Sequence, residues 1–252
     1  MALNESSRIA IEGDPSKIMY YGLNRTPDDW QSKILRKRPK QSLLLCSRQS
    51  GKSTVSAALV AYQALFSNDS LVLIVSKAFR QAEELFRVVR SCIGNIVSNT
   101  EIIRENQTTL ELSNGSRVIS LPGREESIRS YSSVALLVID EAAQVSDELY
   151  ATVRPMLAIS NGKLMALTTP YGKRGWFFKA WMGDTEWYKV KITANDCPRI
   201  SDRFIDEEIK EVGEWWVRQE YFCEFVDTED QLITYEMFKD CLSIKETAWN
   251  ML

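Results

Sequence analysis

The stretch CSRQSGKST, residues 46 to 54, constrains the fold of this chain more than any other segment. It is close to the pattern G-x-x-x-x-G-K-[ST], in which a glycine-rich turn presents backbone N–H groups to phosphates while a Lys and a hydroxyl complete the site. Gly51, Lys52 and Ser53 fit this pattern, but Cys46 stands where the opening glycine is expected. Glycine is required there only if the backbone needs a positive φ or approaches a phosphate very closely. The stretch therefore still predicts a nucleotide-binding turn.

The segments around this turn have the periodicities that a phosphate-binding loop requires. SLLLC, residues 42–46, is an apolar run of strand length, and apolar residues from Val55 to Phe66 recur at helical spacing. Asn114-Gly115 lies between two alternating segments and predicts a β-hairpin. Further buried strands are predicted at 71–75, 134–140 and 163–169. Strands alternating with helices predict an α/β fold with a mainly parallel sheet flanked by helices, whose ligands gather at the carboxyl ends of the strands.

Composition narrows the chemistry that this edge of the sheet can carry. The chain has no histidine, so carboxylates must handle protons near neutral pH, and its net charge of −3 confines any nucleic-acid contact to a local patch. The five cysteines are scattered without a C-x-x-C pair, which argues against a disulfide framework or a zinc site. The sequence contains neither a signal peptide nor an apolar run long enough for a membrane span. We therefore expect a soluble intracellular protein.

A second motif, LLVIDEAAQV, ends a predicted strand with two adjacent acids. Asp140 is expected to hold Mg²⁺, and Glu141 to orient and activate the attacking water, because phosphoryl transfer depends on positioning and charge stabilisation. An Asp-Glu pair alone is also common as a helix cap, but its combination with the loop points to ATP hydrolysis. Lys52 is predicted to contact the β- and γ-phosphates and Ser53 to bind the metal. The full predicted loop contacts are Ser47, Gln49, Ser50, Gly51, Lys52, Ser53 and Thr54.

The ordered motifs SRQSGK, VIDEAA, LTTP followed by Gly172, and RQEYFCEF resemble the ATPase domain of the large terminase subunit of tailed bacteriophages. The resemblance runs from about Trp30 to Phe225. It implies a P-loop NTPase of the additional-strand, RecA/helicase-like type with a small C-terminal helical, lid-like subdomain. It also implies an ATPase core at 1–200 with an N-terminal extension on the adenine side, and a helical linker at 201–252 leading toward a nuclease domain that this chain is not expected to contain.

The same resemblance implies roles for further residues. Gln31 would contact adenine, with a surface position on a helix as its alternative. Arg48 would reach the γ-phosphate within one subunit, and Arg129 would act as an arginine finger across a subunit interface. The family usually has Arg-Gly where this chain has Arg129-Ser130. For both Arg48 and Arg129, the alternative is an ordinary position on the surface. Thr168 and Thr169 would form the coupling motif, with simple strand termination as their alternative.

The resemblance implies as partners double-stranded DNA, the portal protein of the procapsid and the small terminase subunit, in the cytoplasm of the bacterial host. The active form would be a homo-oligomeric ring, whereas the isolated chain would be a monomer. No association with a membrane is implied. Candidate DNA contacts are Lys77, Arg80, Lys173 and Arg174. The basic run KILRKRPK at 33–40 is more typical of a solvated helix face than of a binding site.

Two other functions fit parts of the pattern. A helicase-like DNA-dependent ATPase shares both motifs but needs a second motor domain, for which 252 residues leave no room. A nucleotide-gated module that docks on a portal with little turnover would not require both Asp140 and Glu141.

Overall fold

The computed structural model describes residues 3–122, residue 128 and residues 131–226. The described strands are β1 (Gln41–Cys46), β2 (Leu71–Ser76), β3 (Ile102–Glu105), β4 (Thr109–Leu112), β5 (Arg117–Pro122), β6 (Leu136–Asp140), β7 (Lys163–Thr168) and β8 (Tyr188–Ile192). They form one eight-stranded sheet in the order β3-β4-β5-β2-β6-β7-β1-β8.

Every neighbouring pair from β5 to β8 across this sheet is parallel, whereas β3, β4 and β5 pair antiparallel. The predicted mainly parallel α/β fold is therefore confirmed. The predicted strands at 71–75, 134–140 and 163–169 are β2, β6 and β7. The predicted hairpin is β4 and β5, whose turn contains Gly115 at φ 80°.

The described helices are α1 (Glu5–Gly13), α2 (Lys17–Leu23), α3 (Asp29–Lys37), α4 (Lys52–Phe66), α5 (Phe79–Gly94), α6 (Asp147–Val153), α7 (Gly175–Met182), α8 (Asp202–Val212) and α9 (Glu214–Glu220). They cover the two faces of the sheet unequally. Leu44 points into an apolar core formed with α1 to α5, whereas Leu43 and Leu45 point into a second core formed with α6 and α7. Strand side chains alternate between faces, so one buried strand contributes to both layers.

Several elements were not predicted from the sequence. The edge strand β8, YKVKI, pairs parallel with β1, but its two lysines hide the apolar run that marked the inner strands. The N-terminal helices α1 and α2 were also missed. The segment 146–157 divides into α6 and a 3₁₀ turn at Arg154–Leu157 that contains Pro155. Proline lacks the N–H that a continuing helix needs.

The C-terminal part of the described chain has a small apolar cluster of its own, formed by Ala194, Ile205, Val217 and Tyr221. Helices α8 and α9 contribute to it, in the place where the sequence predicted a helical subdomain from residue 201. The rest of that predicted subdomain, 227–252, lies outside the described residues. No helix in the described ranges is both long and apolar enough to cross a bilayer.

The basic run at 33–40 is largely occupied by intramolecular contacts. Arg36 forms a bidentate ion pair with Asp14, and Lys40 donates to Asn161. Two more of its cations lie over aromatic rings, Lys37 over Tyr188 and Arg38 over Tyr62. These contacts anchor α3 to the rest of the molecule, which gives the run a structural role.

Candidate functional site

The sheet register brings the predicted site residues to one edge. Leu45 pairs with Thr168 across β1 and β7, and Asp140 pairs with Leu167 across β6 and β7. The end of β7 therefore lies between the phosphate loop and the acid pair. Parallel strands end at the same edge, and ligands of such sheets bind there.

The phosphate loop joins β1 to the N-terminus of α4. Gly51 adopts φ 93°, in the region that glycine enters without steric cost, and a Cβ at this position would lie 2.6 Å from Nε2 of Gln31. The first intrahelical bond runs from the N–H of Val55 to the carbonyl of Gly51 at 3.1 Å. The N–H groups of Lys52, Ser53 and Thr54 precede that bond and are the donors that a helix N-terminus offers to an anion.

Cys46 is accommodated without difficulty as the first residue of the motif. It is the last residue of β1, has extended strand backbone and is fully buried. Burial raises the pKa of its thiol, which is close to the thiols of Cys197 and Cys223, so Cys46 remains a protonated, apolar residue. The glycine of the usual pattern is not needed here because the backbone does not require a positive φ.

The loop and the acid pair meet through Lys52 and Glu141. Nζ of Lys52 lies 2.7 Å from Oε1 of Glu141, and both side chains are less than one-fifth exposed. The hydroxyl of Thr168 lies 3.4 Å from the other carboxylate oxygen of Glu141. Glu141 has φ 49°, a left-handed conformation that is uncommon outside glycine and that often marks functional sites.

Asp140 is the more buried of the two acids, and its side chain accepts one hydrogen bond, from the N–H of Glu141 at 3.0 Å. Burial raises the pKa of Asp140 to about 6, with a further contribution from the negative charge of Glu141. A desolvated carboxylate of this kind is stabilised by a nearby cation. Asp140 and the hydroxyl of Ser53 are both hard oxygen donors, which fit Mg²⁺. Within the described residues no cluster of three Asp, Glu or Cys side chains forms a closed metal site. Such a cage is not expected for Mg²⁺, which binds through few protein ligands together with phosphates and water.

Gln31 lies against the other side of the loop. Its Oε1 accepts from the N–H of Asp28 at 2.9 Å, and its Nε2 donates to the carbonyl of Gly51 at 3.2 Å. It lines a cavity of about 590 Å³ together with Lys52, Thr54 and Arg199, which is large enough for a base and ribose.

Arg48 is held by the C-terminal helices. Its Nε donates to Oε2 of the buried Glu220 at 2.6 Å, its backbone N–H donates to the carbonyl of Glu220, and its guanidinium lies near the ring of Trp216. The same pair lines a second cavity, of about 410 Å³, together with Lys52, Glu141 and Thr169. Arg48 therefore faces the space beside the acid pair, and Glu220 is its partner.

The predicted coupling residues link β7 to the acid pair. The hydroxyl of the fully buried Thr168 donates to the carbonyl of Thr169 at 2.6 Å and accepts from the N–H of Ala143 at 3.3 Å. This places one hydroxyl between the end of β7 and the turn that carries Glu141.

Among the remaining predicted residues, Lys77 and Arg80 are exposed just after β2. Lys173 and Arg174 lie in the segment between β7 and α7, where the guanidinium of Arg174 is 5.1 Å from the ring centre of Tyr171. Arg129 lies outside the described residues. Arg199 and Glu220 are site residues that the sequence did not predict. Glu220 lies within the motif RQEYFCEF, to which no role was assigned, and Arg199 lies in no motif, so their contacts are what reveal them.

Known relatives of this chain are phage terminases. A family model described as terminase large subunit, T4likevirus-type, N-terminal, matches residues 43–240. The large terminase subunit of Escherichia phage T5 is 29% identical over 197 residues, which cover 74% of this chain and 44% of that protein. The chain thus spans less than half the length of this curated relative.

Solved structures with the same fold include terminases of other phages. The ATPase domain of the large terminase of Thermus phage P74-26 superposes with a TM-score of 0.70 at 20% identity, covering 84% of this chain and 99% of that domain. The large terminase of bacteriophage HK97 gives a TM-score of 0.66 at 14% identity, covering 84% of this chain and 54% of that protein. A large terminase from a thermophilic bacteriophage, solved with ADP, gives 0.60 at 13% identity, with coverages of 84% and 53%. These likenesses establish a P-loop, RecA-like fold.

Proposed function

The chain belongs to the terminase large subunit family of the T4likevirus type, and from this membership we propose that it is a Mg²⁺-dependent ATPase that drives double-stranded viral DNA into a procapsid. The observation that carries the proposal is the contact of 2.7 Å between Lys52 and Glu141. It joins the phosphate loop and the acid pair, 89 residues apart, at one edge of the sheet. A phosphate-binding lysine and a carboxylate base at this separation bracket the place of a γ-phosphate.

Each side chain has a defined task in this proposal. Lys52 and the N–H groups at the start of α4 bind the phosphates, which releases Glu141 from its ion pair. Glu141 then accepts a proton from the attacking water. Ser53 and Asp140 would hold Mg²⁺, which would neutralise charge on the phosphates. Arg48 stabilises charge on the γ-phosphate within the same subunit.

Further roles are proposed for residues near the adenine base and at the interface between subunits. Gln31 contacts adenine in the larger cavity. Arg129 of a neighbouring subunit in a ring stabilises the transition state, an effect worth roughly 10³ to 10⁵ in rate where it has been measured. Thr168 and Thr169 transmit the state of the γ-phosphate along β7.

The proposed partners are double-stranded DNA, the portal protein and the small terminase subunit, in the host cytoplasm. Lys77, Arg80, Lys173 and Arg174 are the proposed DNA contacts. A motor that moves DNA of any sequence needs contacts to phosphates, which carry no sequence information.

Phosphate release from ATP tests the catalytic assignment. Lys52→Ala and Glu141→Ala are each expected to abolish turnover, and Glu141→Ala is expected to keep ATP binding. Glu148→Ala, which removes an exposed acid of α6, serves as the matched control. Hydrolysis by Glu141→Ala at the parent rate would show that Glu141 is not the base.

The dependence of ATPase activity on protein concentration separates a motor from a nucleotide-gated docking module. An arginine finger acting in trans predicts that specific activity rises as subunits assemble and that Arg129→Ala removes this rise. A gate predicts a negligible rate at every concentration.

A further inference from the structure

We propose that Arg199 is a positioning residue for base recognition, which through Asp28 holds the amide of Gln31 in the orientation that accepts adenine and disfavours guanine. The inference rests on the proposed function, since it requires ATP at the phosphate loop. It adds a residue from the segment between β8 and α8 to the binding site and assigns it a measurable effect on nucleotide selectivity.

Arg199 and Asp28 form a bidentate ion pair. Nη1 and Nη2 of Arg199 donate to the two carboxylate oxygens of Asp28 at 2.8 and 2.7 Å. This fork-to-fork geometry fixes both the distance and the plane of the two groups, which a single ammonium cannot do. Nη2 also lies 3.4 Å from the carbonyl of Ser50, so the guanidinium joins the start of α3 to the phosphate loop.

The side-chain amide of Gln31 lies between two backbone groups, the N–H of Asp28 and the carbonyl of Gly51. The N–H of Asp28 can only donate and the carbonyl of Gly51 can only accept. Gln31 lies between them, with Oε1 2.9 Å from the donor and Nε2 3.2 Å from the acceptor. A flipped amide would turn both contacts into repulsions, so these two backbone groups determine the orientation of the side chain. The Arg199 contact ties the start of α3, where Asp28 and Gln31 lie, to the loop, whereas the basic run at 33–40 anchors the other end of the helix.

The amide of Gln31, fixed in this orientation, can still form two further hydrogen bonds. Each amide atom has a second bonding site, so Gln31 retains one acceptor position and one N–H. Adenine presents an N6 donor beside an N7 acceptor, which matches this pair, whereas guanine presents two acceptors, O6 and N7. Gln31, Lys52 and Arg199 line the same cavity of about 590 Å³, so a base placed beside Gln31 belongs to a nucleotide whose phosphates reach Lys52.

Exposure separates this role from a purely structural one. The side chain of Arg199 is 53% exposed, so its removal leaves no buried cavity, whereas Gln31 is 3% exposed and depends on its neighbours for orientation. Loss of Arg199 is therefore expected to free the start of α3 and the amide of Gln31 from their fixed positions, and not to unfold the protein.

Equilibrium binding tests the proposal without requiring turnover. A fluorescent ATP analogue is titrated into the whole chain with Mg²⁺ and displaced by ATP or by GTP. The parent is expected to prefer ATP by about tenfold or more, the range of a bidentate amide–base pair. Arg199→Ala and Asp28→Asn are each expected to remove most of this preference by weakening the binding of ATP. The double variant is expected to have no larger effect than either single variant. Arg199→Lys should restore part of it.

The matched control is Arg203→Ala. It removes an arginine of α8 that pairs with Glu207 and whose side chain is far more exposed to solvent than that of Arg199. It is expected to leave both affinities unchanged. An unchanged ratio of ATP affinity to GTP affinity in Arg199→Ala overturns the proposal. If both affinities fall equally, Arg199 acts on the ribose or the phosphates instead of the base. A parent that binds ATP and GTP equally also overturns it. A parent that binds neither nucleotide contradicts the proposed function itself.

Discussion

Replacing Glu141 by glutamine is expected to separate ATP binding from ATP hydrolysis in this protein. Glutamine keeps the size and shape of the side chain and tolerates the left-handed backbone at this position as glutamate does, so the change removes little besides the charge and the basicity. In the structure that charge is paired with Lys52 at 2.7 Å, and the two side chains are 18% and 14% exposed. ATP must displace this pair before Lys52 can reach a phosphate.

The size of the effect follows from the pair. A hydrogen bond to a charged group contributes about 1.5 to 3 kcal/mol, of which Glu141 regains part from water when it is displaced. Removal of the competing carboxylate is therefore expected to tighten ATP binding by about 1.4 kcal/mol, or tenfold. Loss of a general base lowers turnover by about 10²- to 10⁴-fold. Binding and hydrolysis thus move in opposite directions.

Two assays on the same preparations measure this prediction, displacement of a fluorescent ATP analogue for affinity and phosphate release for turnover. Glu148→Gln applies the same charge change to a nearby exposed acid and should alter neither quantity. Weaker ATP binding in Glu141→Gln would mean that the ion pair does not compete with nucleotide. Hydrolysis within a factor of two or three of the parent would contradict the assignment of the base.

Four further substitutions probe the loop, the ion pair of Asp14 with Arg36, and the proposed DNA contacts. Gly51→Ala places a Cβ in the left-handed region against a buried amide, and is expected to lower the free energy of unfolding by about 1 to 2 kcal/mol in a denaturant titration and to abolish ATP binding. Arg36 lowers the pKa of Asp14, so this pair stabilises the fold fully above the unfolded pKa of about 4, and its contribution is lost as pH falls from there through the lowered pKa of the folded state. The melting temperature of Asp14→Asn should therefore lie below that of the parent at pH 7 and converge with it in acid. Lys77→Ala and Arg80→Ala should each reduce the slope of log DNA affinity against log salt by about 1.

Controls for these perturbations come from the same chain. Gly13→Ala, where an added Cβ meets no atom within 4 Å, should not reduce stability. Lys17→Ala removes an exposed lysine of α2 and should leave the salt slope of DNA binding unchanged. An Asp14→Asn melting curve that stays below the parent at every pH would show that packing rather than charge accounts for the loss.

The amino-acid sequence by itself determined the parts of this protein that depend on neighbouring residues. The phosphate loop with its flanking strand and helix, the acid pair at the end of β6 and the hairpin at Asn114-Gly115 were all predicted correctly as local elements. Apolar periodicity, turn chemistry and a short motif specify backbone conformation over a few residues, and they did so here. The strand β8 was missed because an edge strand with alternating lysines lacks the continuous apolar run of a buried one.

The tertiary structure alone decided which of these residues meet. Insertion of β7 between β1 and β6 places Thr168 beside Glu141, and no local pattern encodes that strand order. Arg48 finds its partner Glu220 172 residues away, and Arg199 finds Asp28 171 residues away. An ion pair depends on where two distant segments are brought by packing of the whole chain, whereas either residue alone has the sequence signature of an ordinary surface charge.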